Sequence, residues 1–189
     1  MIKKETIMEI NEWKKIIELE RNQKNEFFKI HPQSPLSEKS RQTFEGLSYY
    51  PPDADYLFEL EFHEHTNKEV LKIEDTQGNQ REFLRWGEFR CKINGKECTL
   101  QAYKNDPHED RLFIPFRDKT SGKETYGAGR YIDLDAERQQ TSEGKWILDF
   151  NQSYNPWCAY SELYACPYVP HENWLTVSIK AGEKNFHKE

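Results

Sequence analysis

The residue with the most chemistry to explain is Arg130, in the stretch Leu112 to Asp135, LFIPFRDKTSGKETYGAGRYIDLD. Read as a hairpin whose second arm is extended, this stretch puts Tyr126, Ala128, Arg130, Ile132 and Leu134 on one face. Thr125, Gly127, Gly129, Tyr131 and Asp133 fall on the other. A guanidinium on an apolar face is costly if unpaired, so it must meet a carboxylate, backbone carbonyls or a ligand. Asp118, across the hairpin, and Asp149, in ILDFN, are the local carboxylates. Gly127 and Gly129 each weaken a strand by about 0.5–1 kcal/mol unless something approaches the backbone there. Three readings stay open. In one, Arg117, Arg130, Asp149, Asn151 and Tyr154 form the mouth of a pocket for an anionic or polyhydroxylated small molecule, guanidinium forks clamping the anion. In another, the same site is hydrolase-like, with Asp149 or Asp118 as general base and Arg130 stabilising developing negative charge. In the third, the cluster only locks a loop to the sheet.

A second constellation is LDFNQSYNPWCAYSELYACPYVPHENW, which holds Cys158, Cys166 and His171 among three prolines. Soft ligands at this density suggest zinc, yet no pair stands two to four residues apart and a fourth ligand is missing. A Cys158–Cys166 disulfide is disfavoured in a reducing compartment, so both are expected as buried, reduced thiols. Asn94-Gly95 forms a two-residue turn that sets Cys91 opposite Cys98. No His lies beside either for thiolate activation. No nucleophile elbow, zinc-protease motif, phosphate-binding glycine loop or dinucleotide fingerprint is present, and no cofactor is predicted.

The elements that must position these groups follow from periodicity. The run from Thr6 to about Ile30 is helical, with a capping box at Thr6 and Glu9. Ile10, Trp13, Ile17 and Phe27 form its apolar face, with Lys14, Lys15, Glu18 and Arg21 between them. Pro32 ends it, and Ser34 as a cap with Pro35 at the first helical position suggests a second, short helix. From Tyr56 onward the pattern is of strands: YLFELEFHE, then EVLKIED after a turn at HTNK, then REFLRWGEFRCKI, KECTLQAY, RLFIPFRD, ETYGAGRYIDLD, KWILDFN and WLTVSIKA. The expected fold is mainly β, an antiparallel barrel or sandwich of about eight to nine strands with an N-terminal α-helix. The 189 residues make about one domain. The helix covers 6–30, the short helix and linker 31–50, and the β core 55–182.

Aromatic residues reach 14%, which opposes disorder, while charged residues make up 32%. The net charge of −6 comes without a basic stripe, which argues against nucleic acid and anionic membranes as partners. No run approaches the roughly 20 apolar residues of a membrane span, and MIKKETIMEINEW has no apolar signal core. A soluble, cytoplasmic protein with a small-molecule ligand is expected; oligomeric state is left open.

Five motifs together, EFFKIHPQSPL, FEGLSYYPPDADY, LFIPFRDKTSGKETYGAGRYIDL, LDFNQSYNPWCAYSELYACPYVPHENWL and IKAGEK, resemble the family catalogued as domain of unknown function 1684, in a short archaeal-type form. The resemblance runs from about Arg21 to Glu183 and implies fold and motif positions but no reaction. Those positions include Arg117, Asp118, Tyr126, Gly129, Arg130, Asp149, Asn151, Tyr154, Cys158, Tyr160, Cys166, Asn173 and Glu183. The candidate ligand-binding residues are Arg117, Tyr126, Arg130, Asp149, Asn151, Tyr154, Asn155, Tyr160 and Asn173.

Overall fold

The computed structural model describes residues 4–186, with side chains from Glu9 onward. Helix α1 spans Lys4–Ile30. It already includes Thr6, whose side chain, and with it the expected capping box, lies outside the described residues. The inward face of α1 reads Ile10, Trp13, Ile17, Arg21, Lys24 and Phe28, a three-to-four spacing in which Ile17 and Phe28 are fully buried. Phe28, one position later than expected, forms the apolar end of this face. Its ring meets Tyr160 edge-on at 4.7 Å between centroids.

Helix α2 spans Glu38–Thr43 and is capped by Ser37, whose side chain accepts from the Ser40 amide at 3.1 Å. This corrects the expected cap at Ser34 by one turn. Pro35 and Leu36 are buried and hold that segment in place. Ser34 instead ties off α1, its hydroxyl donating to the Phe28 carbonyl at 2.6 Å.

Strand β1 (Leu57–Leu60) pairs with β7 (Trp146–Asp149) in a small antiparallel sheet. The larger sheet is antiparallel in the order β2-β3-β4-β5-β6. It comprises β2 (Phe62–Glu74), β3 (Gln80–Ile93), β4 (Lys96–Lys104), β5 (Arg111–Phe116) and β6 (Arg130–Asp135), followed by the one-turn helix α3 (Ala136–Gln139). Asn94 and Gly95 take φ of 50° and 79°, as a tight hairpin turn requires, and Cys91 stands opposite Cys98 as expected.

Three expectations change. The HTNK segment does not turn the chain back; it is an irregularity inside β2, where the register with β3 slips between Glu64 and Glu69. The β5–β6 pair is joined by a long connection from 117 to 129, so Tyr126 and Ala128 lie outside the strand that begins at Arg130. The segment from Trp174 to Ala181 is not a strand. It runs beside that connection, through Leu175 N–H to the Arg117 carbonyl (2.8 Å) and Lys119 N–H to the Val177 carbonyl (2.9 Å). The described residues thus form seven strands in two sheets, a sandwich-like arrangement rather than a closed barrel. The larger sheet stays open because β2 and β6 end it on opposite edges. The core still draws on the C-terminal segment: Val177, Ile179 and Ala181 pack with Phe89, Leu100, Ile114, Phe116 and Phe150. No helix among the described residues is long and apolar enough to cross a membrane.

Candidate functional site

Arg130 opens β6 opposite Phe116, and its side chain is 1% exposed. Nη2 donates to Asp118 Oδ2 at 2.7 Å and to the Ile179 carbonyl at 2.9 Å. Nη1 donates to the carbonyls of Ala181 and Glu183. The guanidinium also lies 5.1 Å from the centre of the Phe116 ring. Asp118 is equally committed, because its Oδ1 accepts from both the amide and the hydroxyl of Thr120. Burial lowers the pKa of Arg130, and the adjacent Asp118 opposes that shift. The cluster is therefore filled by protein. Gly129, at φ +104°, completes the packing: a Cβ there would collide with Val169, the Phe116 carbonyl and the stem of Arg117. The glycine makes room for the protein's own chain.

The other expected site residues separate into groups. Arg117 stacks on Trp174, 4.4 Å from the ring centre. Asn173 bonds the Gln101 amide and carbonyl and the Pro115 carbonyl, fixing its loop to β4 and β5. Asp149 accepts from Trp13 Nε1 at 2.8 Å and from the backbone and side-chain nitrogens of Asn151, each at 2.8 Å. Burial raises its pKa, and those donors restrain the rise. Asn155 and Tyr160 both donate to Glu183, a 1%-exposed carboxylate that also pairs with Lys24 Nζ at 2.8 Å.

Asn151 and Tyr154 lead to a different opening. Between α1 and the segment from Asn151 to Tyr154 lies a cleft of about 150 Å³, walled by Ile17, Arg21 and Lys24 on one side and Tyr49 on another. Three residues of this wall each carry a buried polar atom, Arg21 Nε, Tyr49 Oη and Ser153 Oγ, with no hydrogen-bond partner among the described residues. Such orphans are rare, since a buried polar group without a partner costs about 1–3 kcal/mol. The rest of Arg21 is anchored: Nη1 donates to the Tyr50 carbonyl at 2.8 Å and Nη2 to the Asn151 carbonyl at 3.2 Å. Its guanidinium sits 4.5 Å from the centre of the Tyr49 ring. Burial lowers the pKa of Arg21 and raises that of Tyr49, which keeps the phenol protonated and able to donate. Gly182, at φ +74°, carries its backbone against Ser153 where any side chain would collide with Oγ.

Sequence reasoning missed Arg21, Lys24, Tyr49 and Ser153. The first two had a signal: continuing the spacing from Ile17 by four, three and four residues gives Arg21, Lys24 and Phe28, two cations on an otherwise apolar stripe.

Cys158, Cys166 and His171 are not gathered for a metal, and no three metal-ligating side chains cluster among the described residues. His171 packs on Trp174, ring centres 4.2 Å apart. Cys158 and Cys166 do meet: the Cys158 amide donates to Cys166 Sγ at 3.3 Å, and the Tyr126 hydroxyl lies 3.7 Å from Cys158 Sγ.

Comparison with known proteins gives a family and a fold neighbour. No curated protein matches the chain. The solution NMR structure of an uncharacterized protein of Haloarcula marismortui is 35% identical, with a TM-score of 0.71, over 94% of this chain and 96% of that one. Residues 42–184 match the family described as Protein of unknown function (DUF1684), and the chain belongs to that family.

Proposed function

We propose that this chain binds a small anionic molecule, of the size of a simple carboxylate or inorganic phosphate, in the cleft between α1 and the segment from Asn151 to Tyr154. The observation that carries the reading is that three residues lining one cleft, Arg21, Tyr49 and Ser153, each hold a buried group without a partner among the described residues. Arg21 Nε–H can only donate, and both hydroxyls can donate, so an oxygen-rich acceptor satisfies all three. None of the nearby acids accepts from these donors: Glu20, which lines the cleft, accepts from Gln152 Nε2 at 3.0 Å. Glu183 is taken up by Lys24, Asn155 and Tyr160, and Asp149 by Trp13 and Asn151. The spare capacity of the cleft is donor capacity, backed by the positive charge of Arg21.

Binding is favoured over hydrolysis because both candidate general bases, Asp149 and Asp118, have each oxygen engaged by a protein donor. The Arg130 cluster supports a structural role of its own. It fastens three carbonyls of the C-terminal segment, those of Ile179, Ala181 and Glu183, to the start of β6. A thermal-shift series with phosphate, acetate and citrate tests the binding reading. A ligand at a hundred times its dissociation constant adds about 2.7 kcal/mol, roughly 5–10 °C for a domain of this size. That shift is expected in the parent protein and absent when Tyr49→Phe and Ser153→Ala are combined. Equal shifts in the two proteins, or none in either, reject the site.

A further inference from the structure

The four cysteines of this chain are all free, and they form two facing pairs of opposite character. Cys91 and Cys98 are rungs of the β3–β4 ladder, where burial pushes the Cys91 thiol up to about 12 and raises that of Cys98 as well. Among the described residues none donates a hydrogen bond to the Cys91 sulfur, so nothing there favours a thiolate. Cys158 and Cys166 differ. They sit at the two ends of the loop from Ala159 to Ala165, each 8% exposed. The Cys158 amide donates to Cys166 Sγ at 3.3 Å, which brings the two cysteines together, and the Tyr126 hydroxyl lies 3.7 Å from Cys158 Sγ. The neighbouring Cys166 thiol lowers the pKa of Cys158 against the effect of burial, and the same contact raises that of Cys166. The backbone around Cys166 is fixed by Thr76, whose Oγ1 accepts its amide at 3.2 Å and whose own amide reaches its carbonyl at 3.0 Å. The two thiols are thus buried side by side, with a phenol hydroxyl beside Cys158.

We infer that Cys158 and Cys166 form a peroxide-reactive pair, Cys158 as the attacking thiolate and Cys166 as the resolving thiol, converted reversibly to a disulfide. This lies outside the anion-binding reading and shares none of its residues. In the first step the Cys158 sulfur attacks one oxygen of a hydroperoxide. The O–O bond breaks, that oxygen stays on sulfur as a sulfenic acid, and the other oxygen leaves and takes up a proton as water or an alcohol. In the second step the Cys166 sulfur attacks the Cys158 sulfur. The S–O bond breaks, and the oxygen leaves as water with the proton of Cys166. The two thiols supply the two electrons that reduce the peroxide, and a thiol reductant reverses the change.

The test treats the folded full chain with one to a few equivalents of hydrogen peroxide, then blocks, unfolds and maps the cysteines. The proposal predicts loss of two of the four thiols, a Cys158–Cys166 cross-link, and restoration by dithiothreitol. Cys166→Ser should stop at a sulfenic acid on Cys158 that dimedone traps. Cys158→Ser should not react, and Cys91→Ser combined with Cys98→Ser should react like the parent. Retention of all four thiols in the parent, or a cross-link confined to Cys91 and Cys98, overturns the proposal without reference to any variant. Trapping of Cys166 rather than Cys158 overturns the assignment of roles.

Discussion

Replacing Arg130 by methionine keeps the aliphatic stem but removes both terminal nitrogens, and with them the bonds to Asp118 and to three backbone carbonyls. Asp118 stays behind with its side chain 0% exposed, still accepting from Thr120 but without its counter-charge. Breaking a buried pair from one side costs about 3–5 kcal/mol, because a charge is stranded in low dielectric. A domain with roughly 5–15 kcal/mol of stability loses a large share of it. At about 2–4 °C per kcal/mol for this size, the melting temperature should fall by roughly 6–20 °C. Urea unfolding of Arg130→Met gives the energy directly. Adding Asp118→Asn removes the stranded charge and should return on the order of 1–2 kcal/mol. Stabilisation by anions should survive Arg130→Met wherever that variant folds, since the cleft beneath α1 contains no atom of Arg130. A loss under about 1 kcal/mol would show that the guanidinium is not the buried fastening described, and loss of the anion response would return the ligand to Arg130.

Three further outcomes follow from the same geometry. Tyr49→Phe removes an unpartnered buried hydroxyl and should, in anion-free buffer, be neutral or stabilising by up to about 1 kcal/mol; a loss above that in chemical denaturation would reveal a bond to the hydroxyl. Trp13→Phe takes a donor from Asp149, whose folded pKa burial already raises above the ordinary value of about 3.9. The native state then holds more protons than the unfolded chain over the window just above that value, and stability falls as pH rises through it. The variant widens that window, so its deficit at about pH 7 should exceed its deficit at about pH 4 by about 1 kcal/mol, and equal deficits would contradict the contact. Gly129→Ala forces a side chain at φ +104° against the Phe116 carbonyl and should cost at least about 2 kcal/mol in urea unfolding, whereas a neutral change would mean the loop repacks freely.

Much of this molecule is legible in the sequence, and the part that is not has a physical reason. Local patterns reported local facts: the Asn94-Gly95 turn set the Cys91–Cys98 register, and the helical spacing picked out Ile10, Trp13 and Ile17. The inward turn of Arg130 could be inferred because alternation places Ile132 and Leu134 beside it, and Asp118 was correctly a candidate partner. Its carbonyl acceptors, from Ile179 to Glu183, could not be inferred, because they lie about fifty residues away in a segment whose strand-like composition serves a non-strand path. The cleft was hidden for a similar reason. Tyr49 and Ser153 carry no periodic signal, and Arg21 reads as solvated helix surface until it is noticed that Phe28, not Phe27, continues the buried stripe.

The most direct test of the central claim watches Arg21 itself. In a protein with 15N-labelled arginine, titration with inorganic phosphate or acetate should move the Arg21 Nε–Hε resonance saturably and leave that of Arg130 in place. Tyr49→Phe with Ser153→Ala should abolish the movement. An Arg21 resonance that ignores every anion, or one that moves identically in the double variant, would contradict the account.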